Sequence, residues 1–278
     1  MKMQNTSFLT RLTKGIGARA GALFRNPYRQ VNISWLSEKY YKHLPSGKIR
    51  THTLFGKKMH FANPSEYLHG LKEMFIDDLY RQELPEQPYI IDCGANIGLS
   101  IIYMKQLYPK AEILAFEPDI KNFELLAANI RSFGYDQVTL RKEAVWIQDT
   151  VLHFSSRGSA DSKIENIRTA DTVEVKAVRL KDLLNRKTDF LKIDIEGAEF
   201  AVLQDIADNL GMVKNLFIEY HGLFSQNNEL TQILQLIGQK GFNYYIKEAI
   251  SAYPAPFIKI RTPGLFYDLQ LNIFCFRA

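Results

Sequence analysis

Cysteine is scarce in this sequence of 278 residues, which contains only Cys93 and Cys275. A disulfide-stapled secreted domain needs a denser cysteine framework, and a structural zinc site needs clustered Cys and His ligands, so both classes are excluded. No stretch reaches the roughly 18 consecutive apolar residues that a membrane-spanning helix requires. With 46% hydrophobic and 23% charged residues, the composition is that of an ordinary globular protein. We therefore expect a reducing, cytoplasmic location.

Acidic residues are missing from the first 37 positions, which carry six of the 35 Lys and Arg residues. The remainder has 29 basic and 30 acidic residues, so the net charge of +5 belongs to this end of the chain. A nucleic-acid groove should be basic across the folded surface, and a nucleic-acid partner is therefore disfavoured. Apolar residues alternate with the bases, so we expect a basic tail over residues 1–37 that is either solvated or peripherally bound to the inner face of an anionic membrane.

Residues 38–88 have the pattern of a helical lead-in segment. Asn63 and Pro64 predict a helix start, with the asparagine as cap and the proline in the first turn. The apolar residues that follow at helical spacing predict one buried face: Tyr67, Leu68, Leu71, Phe75 and Leu79. Two prolines, at 85 and 88, then end this segment.

From residue 89 to residue 278 the chain alternates between short apolar runs and helical patterns. Continuous apolar strands separated by helices predict an α/β fold with a mostly parallel sheet covered on both faces. The last two runs, 242–246 and 272–276, have no helix between them, so we expect them to pair antiparallel. Two β-like runs predict strands at 151–154 and 173–178, on either side of a polar stretch, residues 155–171.

The first chemical motif is the turn Asp92-Cys93-Gly94-Ala95-Asn96-Ile97-Gly98, placed between a predicted strand and a predicted helix. Such a turn lets the backbone approach a nucleotide closely, and Asn96 tolerates the left-handed conformation that a glycine usually supplies. The pattern is not Gly-x-Gly-x-x-Gly, and an acid at the strand end disfavours a pyrophosphate while favouring a cationic ligand. A nicotinamide-dependent oxidoreductase is therefore a weaker alternative.

Acidic residues follow three further predicted strands. Glu117 ends the second strand and suits hydrogen bonding to ribose hydroxyls. Asp194 and Glu196 follow a later strand that also contains Lys192, and Glu219 and His221 follow the next one. Because a histidine titrates near neutral pH, His221 is a candidate general base, with Asp194 as the second candidate.

Taken together, these motifs resemble the FkbM family of S-adenosylmethionine-dependent methyltransferases. The resemblance rests on the Asp92–Gly98 turn, on Phe116-Glu117-Pro118 and on the segment from Phe190 to Glu199, and it extends from about residue 73 to residue 276. It implies a class I methyltransferase fold, in which a seven-stranded, Rossmann-like sheet has an antiparallel last strand. Family members methylate hydroxyl groups, notably on sugars and natural products.

The resemblance also implies roles for individual positions. The cofactor S-adenosylmethionine would be held by the turn residues, by the ribose-binding acid and by residues beside the adenine and the sulfonium: Asp92, Gly94, Asn96, Gly98, Glu117, Ala144 and Asp194. The family resemblance does not identify the catalytic residues, for which the candidates are His221, Asp194 and Lys192. The lysine side chain can point either away from the acids or towards them. Asp194 and Glu219 could alternatively hold Mg²⁺, which would activate the hydroxyl.

Two alternatives share the cofactor. An RNA ribose methyltransferase would use the basic tail, although no Asn-Pro-Pro-Tyr-like tetrapeptide for base-amine methylation ends the strand before Asp194. A non-catalytic, membrane-associated scaffold would need only the glycine turn and Glu117. The expected partner of the enzyme itself is a small-molecule or glycan hydroxyl acceptor.

Overall fold

The computed structural model describes residues 27–155, 164–165 and 172–277. The chain divides into two units, one formed by residues 1–56 and 61–79 and the other by residues 57–60 and 80–278. Residues 1–26 lie outside the described part, so membrane contact through the basic tail stays a prediction. Within the described ranges, no helix combines the length and apolar character needed to cross a bilayer.

The described part of the first unit begins with a 3₁₀ helix, Pro27–Val31, and helix α1, Trp35–Lys42. Strand β1, Arg50–Leu54, and helix α2, Pro64–Phe75, follow. The predicted start of α2 is confirmed, because the Asn63 side chain accepts hydrogen bonds from the backbone N–H groups of residues 65 and 66. The predicted apolar face was too long, since the helix ends before Leu79 and Asp78 adopts a left-handed φ of 53°.

The second unit contains the remaining strands and helices. Its strands are β2 (Lys57–Phe61, of which residues 57–60 belong to this unit), β3 (Tyr89–Cys93), β4 (Glu112–Phe116), β5 (Val138–Arg141), β6 (Ala144–Trp146), β7 (Thr150–Ser155), β8 (Ile164–Glu165), β9 (Thr172–Arg179), β10 (Thr188–Ile193), β11 (Val213–Gly222), β12 (Asn243–Ile250) and β13 (Leu269–Phe276). Its α-helices are α3 (Leu99–Leu107), α4 (Ile120–Phe133), α5 (Leu180–Leu183), α6 (Glu199–Asp205) and α7 (Asn227–Gln239). Short 3₁₀ helices occupy Ala207–Met212, Phe224–Gln226 and Pro256–Ile258.

Seven strands form the main sheet, in the order β12-β13-β11-β10-β3-β4-β5. The neighbours from β11 to β5 are parallel, whereas β13 runs antiparallel to both β11 and β12. This arrangement confirms the predicted seven-stranded sheet with its antiparallel last strand. It is the class I methyltransferase topology that the sequence resemblance implied.

The centre of this sheet positions the functional residues. The chain runs outward from β3 through β4 to β5 and then returns to β10 on the other side of β3, so the strand order reverses between β3 and β10. In open α/β sheets, ligands bind outside the carboxyl ends of the strands at such a reversal point. Every residue of β10 is buried, because this strand lies between two parallel neighbours and beneath helices on its faces. The turns after β3 and β10 are therefore fixed by a rigid core.

The helices begin and end where local chemistry dictates. At the start of α4, Asp119 accepts hydrogen bonds from the N–H groups of residues 121 and 122. At its end, Gly134 takes a left-handed φ of 67°, which suits a residue without Cβ. Gly98 is the N-cap of helix α3 and also has a positive φ. These boundaries confirm the predicted strand–turn–helix pattern around the first two strands of the sheet.

A second sheet of four strands, in the order β6-β9-β7-β8, follows β5 in the chain. Strands β7 and β9 pair antiparallel, which confirms the two β-like segments predicted on either side of the polar stretch. Within that stretch, residues 156–163 and 166–171 lie outside the described part of the chain.

Candidate active site

In the turn after β3, every second residue has a left-handed backbone conformation: φ is 95° at Gly94, 47° at Asn96 and 93° at Gly98. A Cβ atom on Gly94 would lie 1.9 Å from the carbonyl oxygen of Asp194. In addition, the Asp194 N–H donates a hydrogen bond of 3.0 Å to the Cys93 carbonyl oxygen. The turns after β3 and β10 thus touch through their backbones, and only glycine permits that approach at position 94.

Lys192 lies beneath this contact and points towards the acids, which settles the orientation that the sequence left open. Its Nζ atom donates to the Gly94 carbonyl oxygen at 2.7 Å and to Asp194 Oδ2 at 3.0 Å, and it lies 3.4 Å from Asp92 Oδ1. The lysine is only 2% exposed. Burial alone would lower the pKa of Lys192, but the carboxylates of Asp194 and Asp92 raise it well above its usual value. The side chain is therefore a buried cation that joins the two turns.

Glu117 lies at the end of β4, beside the same glycine turn. Its Oε2 atom accepts a hydrogen bond of 2.8 Å from the Asn96 N–H, and Oε1 accepts one of 2.9 Å from the Asp119 N–H. Burial raises the pKa of this carboxyl group to about 7, although both backbone hydrogen bonds lower it. Each carboxylate oxygen can accept a second hydrogen bond, so the group suits a pair of vicinal hydroxyls.

Ala144 opens strand β6, beyond β5, and is 4% exposed. The preceding residue, Glu143, forms ion pairs with Arg141 and Lys176 at 2.5 and 2.7 Å. Burial acts to raise the pKa of Glu143, but hydrogen bonds from Lys176 and Arg141 lower it overall. Ala144 thus follows a carboxylate that two cationic side chains hold, and the proposed adenine contact at Ala144 stays a prediction.

His221 lies in β11 with its two ring nitrogens in different surroundings. Nδ1 is 3.1 Å from Oε1 of Glu199, whereas Nε2 is 3.7 Å from carboxylate oxygens of both Glu196 and Glu219. The last two separations exceed hydrogen-bond distance. Burial would lower the pKa of His221, but the nearby carboxylates, chiefly Glu199, raise it well above its usual value. The surrounding carboxylates therefore stabilise the protonated form of the imidazole.

Glu196 has the backbone conformation expected of a strained functional position. It adopts a φ of 55°, which is unusual for a residue with a Cβ atom, and Gly197 follows with a φ of 94°. The Tyr267 hydroxyl donates a hydrogen bond of 2.7 Å to the Glu196 carbonyl oxygen, and the Tyr267 ring packs 4.8 Å from that of His221. Burial raises the pKa of the Glu196 carboxyl well above normal, with His221 acting in the opposite direction.

The predicted residues thus form three adjoining groups. Asp92, Gly94, Lys192 and Asp194 meet between the central strands, Glu117 meets Asn96 at the glycine turn, and His221 lies among Glu196, Glu199 and Glu219. The sequence did not indicate a role in the site for Glu199, or for Ser100, whose hydroxyl donates to Asp92. Each of these two residues lies too far along the chain from its partner for a local sequence pattern to reveal the contact.

A divalent cation was the open alternative for the acids. Within the described ranges, Asp194, Glu219 and His221 are the group of potential ligands whose donor atoms all lie within 4.8 Å of one another. However, the ammonium of Lys192 already neutralises Asp194 from 3.0 Å. A cation bound there would have to share Asp194 with the lysine, and Mg²⁺ binding at this group stays a prediction.

Known proteins that are similar to this chain in sequence include methyltransferases. The sequence model of the family described as the methyltransferase FkbM domain matches residues 92–244. These residues are more than half of the chain and contain all three groups of site residues. Methyltransferase 1 of Beauveria bassiana is 28% identical over 215 residues, covering 66% of this chain and 84% of that protein.

Two further relatives have more specific names. The 31-O-demethyl-FK506 methyltransferase FkbM of Streptomyces tacrolimicus is 25% identical over 238 residues, covering 72% of this chain and 87% of its own length. The hexuronic acid methyltransferase AglP of Haloferax volcanii is 24% identical over 153 residues, covering 54% of this chain and 62% of its own length. The chain belongs to the FkbM family of S-adenosylmethionine-dependent methyltransferases.

Proposed function

We propose that this enzyme methylates a hydroxyl group of a sugar, of a polysaccharide or glycolipid precursor, or of a natural product. The observation that carries the proposal is the Nε2 atom of His221, which lies beside the partly exposed carboxylates of Glu196 and Glu219 without a hydrogen bond to either. A proton acceptor at the carboxyl end of β11 is what an alcohol needs, because a hydroxyl is a poor nucleophile until its proton leaves. The names of the Streptomyces and Haloferax relatives support an oxygen acceptor.

The residues around the glycine turn fit S-adenosylmethionine. Glu117 keeps one acceptor position on each carboxylate oxygen after accepting from Asn96 and Asp119, which matches the two ribose hydroxyls. The turn from Asp92 to Gly98 would hold the methionyl part, and Ala144 the adenine. When bound, S-adenosylmethionine supplies an electrophilic methyl group that an acceptor hydroxyl can attack in line.

His221 would take the proton of the acceptor hydroxyl at Nε2. Because its pKa is raised, the imidazole holds a proton more tightly than an ordinary histidine does, and only its neutral form can act as the base. The three surrounding carboxylates then stabilise the cation that forms as the proton arrives. A base within hydrogen-bond reach contributes roughly 10²–10⁴-fold to the rate.

Asp194 and Lys192 have different parts in this proposal. Asp194 is partly exposed, with 24% of its side-chain surface accessible, so it can contact the acceptor or the cationic centre of the cofactor. Lys192 is buried and directs its ammonium at Gly94, Asp194 and Asp92, so it acts as a positioning residue that holds the two turns together.

A methyl-transfer assay tests the proposal. Wild-type enzyme and His221→Ala are incubated with labelled S-adenosylmethionine and three acceptor classes: neutral methyl glycosides, extracted glycolipids and total RNA. We expect label on a hydroxyl of the first or second class, and a loss of about 10²–10⁴-fold in kcat for the variant with unchanged affinity for S-adenosylhomocysteine.

Each alternative predicts a different outcome of this assay. Label on RNA ribose would overturn the acceptor class in favour of the RNA methyltransferase. Cofactor binding without turnover on any acceptor would favour a scaffold, and wild-type turnover in His221→Ala would remove the histidine from the reaction.

A further inference from the structure

We infer that Glu199 is the positioning residue that fixes the orientation and proton distribution of His221, so that Nε2 alone takes up the proton of the acceptor. This inference rests on the proposed function, because it concerns the residue that would act as base there. It goes further by assigning a role to a carboxylate that lies under the site and away from the acceptor.

The contact between the two side chains is buried on both sides. Oε1 of Glu199 lies 3.1 Å from Nδ1 of His221, and the exposed fractions of the two side chains are 1% and 3%. An ionised carboxylate accepts hydrogen bonds but cannot donate them. In the hydrogen bond between Glu199 and His221, the proton must therefore be on Nδ1. The neutral imidazole is then forced into the tautomer whose free lone pair is on Nε2.

Backbone hydrogen bonds hold the Glu199 carboxylate in place. Its Oε1 atom accepts hydrogen bonds of 3.1 Å from the N–H groups of Ile195 and Gly197, and Oε2 accepts a further one from Gly197. Glu199 is also the first residue of α6, where the helix dipole favours a negative charge. The carboxylate is therefore anchored to the loop after β10 while it holds a residue of β11.

The surroundings of the histidine make this anchor necessary. Glu196 and Glu219 both lie 3.7 Å from Nε2, and a ring flip would exchange the two nitrogens among three carboxylates. The Tyr267 ring packs against one side of the imidazole, with 4.8 Å between the ring centroids. Only the contact at Nδ1 is short enough to be a hydrogen bond, so it decides which nitrogen faces the acceptor.

Glu199→Gln is the variant that separates positioning from loop support. A glutamine keeps an oxygen in the Oε1 position, so it can still accept from the N–H groups of Ile195 and Gly197 and from Nδ1, and it gives up only the second bond from Gly197, to Oε2. It loses the negative charge that stabilises the imidazolium during proton uptake. We expect kcat to fall about 10²-fold while affinity for S-adenosylhomocysteine is unchanged.

A double-mutant cycle shows whether the effect passes through the histidine. Turnover is measured for wild type, Glu199→Gln, His221→Ala and the double variant, with Glu124→Gln on the exposed surface of α4 as the control. If Glu199 acts through His221, the glutamine change has no further effect in the His221→Ala background. Additive losses, or wild-type turnover in Glu199→Gln, would overturn the inference.

A second readout does not depend on turnover. The ¹⁵N shifts of the His221 imidazole, assigned by their absence in His221→Ala, report which nitrogen carries the proton at alkaline pH. We expect protonated Nδ1 in the wild type and in Glu199→Gln, whose amide oxygen still accepts from it, and a mixture of tautomers in Glu199→Ala, which lacks the acceptor. Protonated Nε2 in the wild type would refute the inference. Protonated Nδ1 in the wild type together with full activity of His221→Ala would instead refute the assignment of His221 as the base under the proposed function.

Discussion

Replacing Lys192 by methionine is the perturbation whose size follows most directly from the structure. The ammonium lies 2.7 Å from the Gly94 carbonyl oxygen, 3.0 Å from Asp194 and 3.4 Å from Asp92, and the residue is 2% exposed. Methionine is close to lysine in length and fills the space without the charge. The variant therefore leaves two carboxylates without their cation, one of them the buried Asp92.

Removing one partner of a buried ion pair costs about 3–5 kcal/mol, because the remaining charge is left uncompensated. At about 2–4 °C per kcal/mol for a domain of this size, we expect the Tm to fall by roughly 6–20 °C. Since the folded-state pKa of Lys192 is raised, its contribution is complete below the unfolded-state value of about 10.4 and is lost only as the pH rises through the still higher folded-state value. The difference should therefore be constant between about pH 7 and about pH 9.

Thermal unfolding followed by circular dichroism measures the effect at neutral pH. Lys110→Met is the matched control, because the side chains of Lys110 and of its ion-pair partner Glu86 are both exposed, by 57% and 78%. Such a surface pair is worth about 0–1 kcal/mol. Adding Asp92→Asn to Lys192→Met should recover part of the loss, since it removes one unpaired charge. A loss below about 1 kcal/mol in Lys192→Met would refute the reasoning.

Further predictions concern the remaining groups of the site. Because burial raises the pKa of Glu117 to about 7, affinity for S-adenosylhomocysteine should increase between about pH 6 and about pH 8, and Glu117→Gln should flatten this profile in calorimetry. Because the pKa of His221 is raised, kcat should rise with pH into the alkaline range, and a plateau already at acidic pH would contradict the base assignment. Tyr267→Phe removes the hydrogen bond to the strained Glu196 carbonyl, so it should cost about 1 kcal/mol of stability in urea unfolding and lower kcat more than cofactor affinity. EDTA should leave turnover unchanged, because a lysine ammonium already neutralises Asp194, and a loss restored by Mg²⁺ would assign the acids to a cation instead.

The fold could be predicted from the sequence because its determinants are local. Continuous apolar runs such as 190–193 identify buried parallel strands, and the glycine turn at Gly94–Gly98 and the glycine at position 134 identify helix boundaries. The helix after Asn63 was predicted too long, because apolar spacing continues through Leu79 while Asp78 turns the backbone left-handed. Periodicity reports which residues can be buried, but a single turn conformation decides where the helix stops.

The arrangement within the site depended on contacts that no local pattern encodes. Lys192 could have pointed to either side of its strand, and its direction follows from the pairing of β10 with β3. Glu199 and His221 are 22 residues apart and meet only because α6 begins over β11. Motifs indicated which side chains gather at the carboxyl ends of the strands, but only the structure showed which partners each of them contacts.

Calorimetric titration with S-adenosylhomocysteine and with NADH tests the central claim, a methyltransferase cofactor held by Glu117 beside the glycine turn, most directly. The titration compares wild type, Glu117→Ala and the surface control Glu124→Ala. We expect the adenosyl ligand to bind to the wild type and the control, NADH not to bind, and Glu117→Ala to weaken binding roughly 10- to 100-fold through lost charge-assisted hydrogen bonds. Binding of NADH alone, or unchanged affinity in Glu117→Ala, would contradict it.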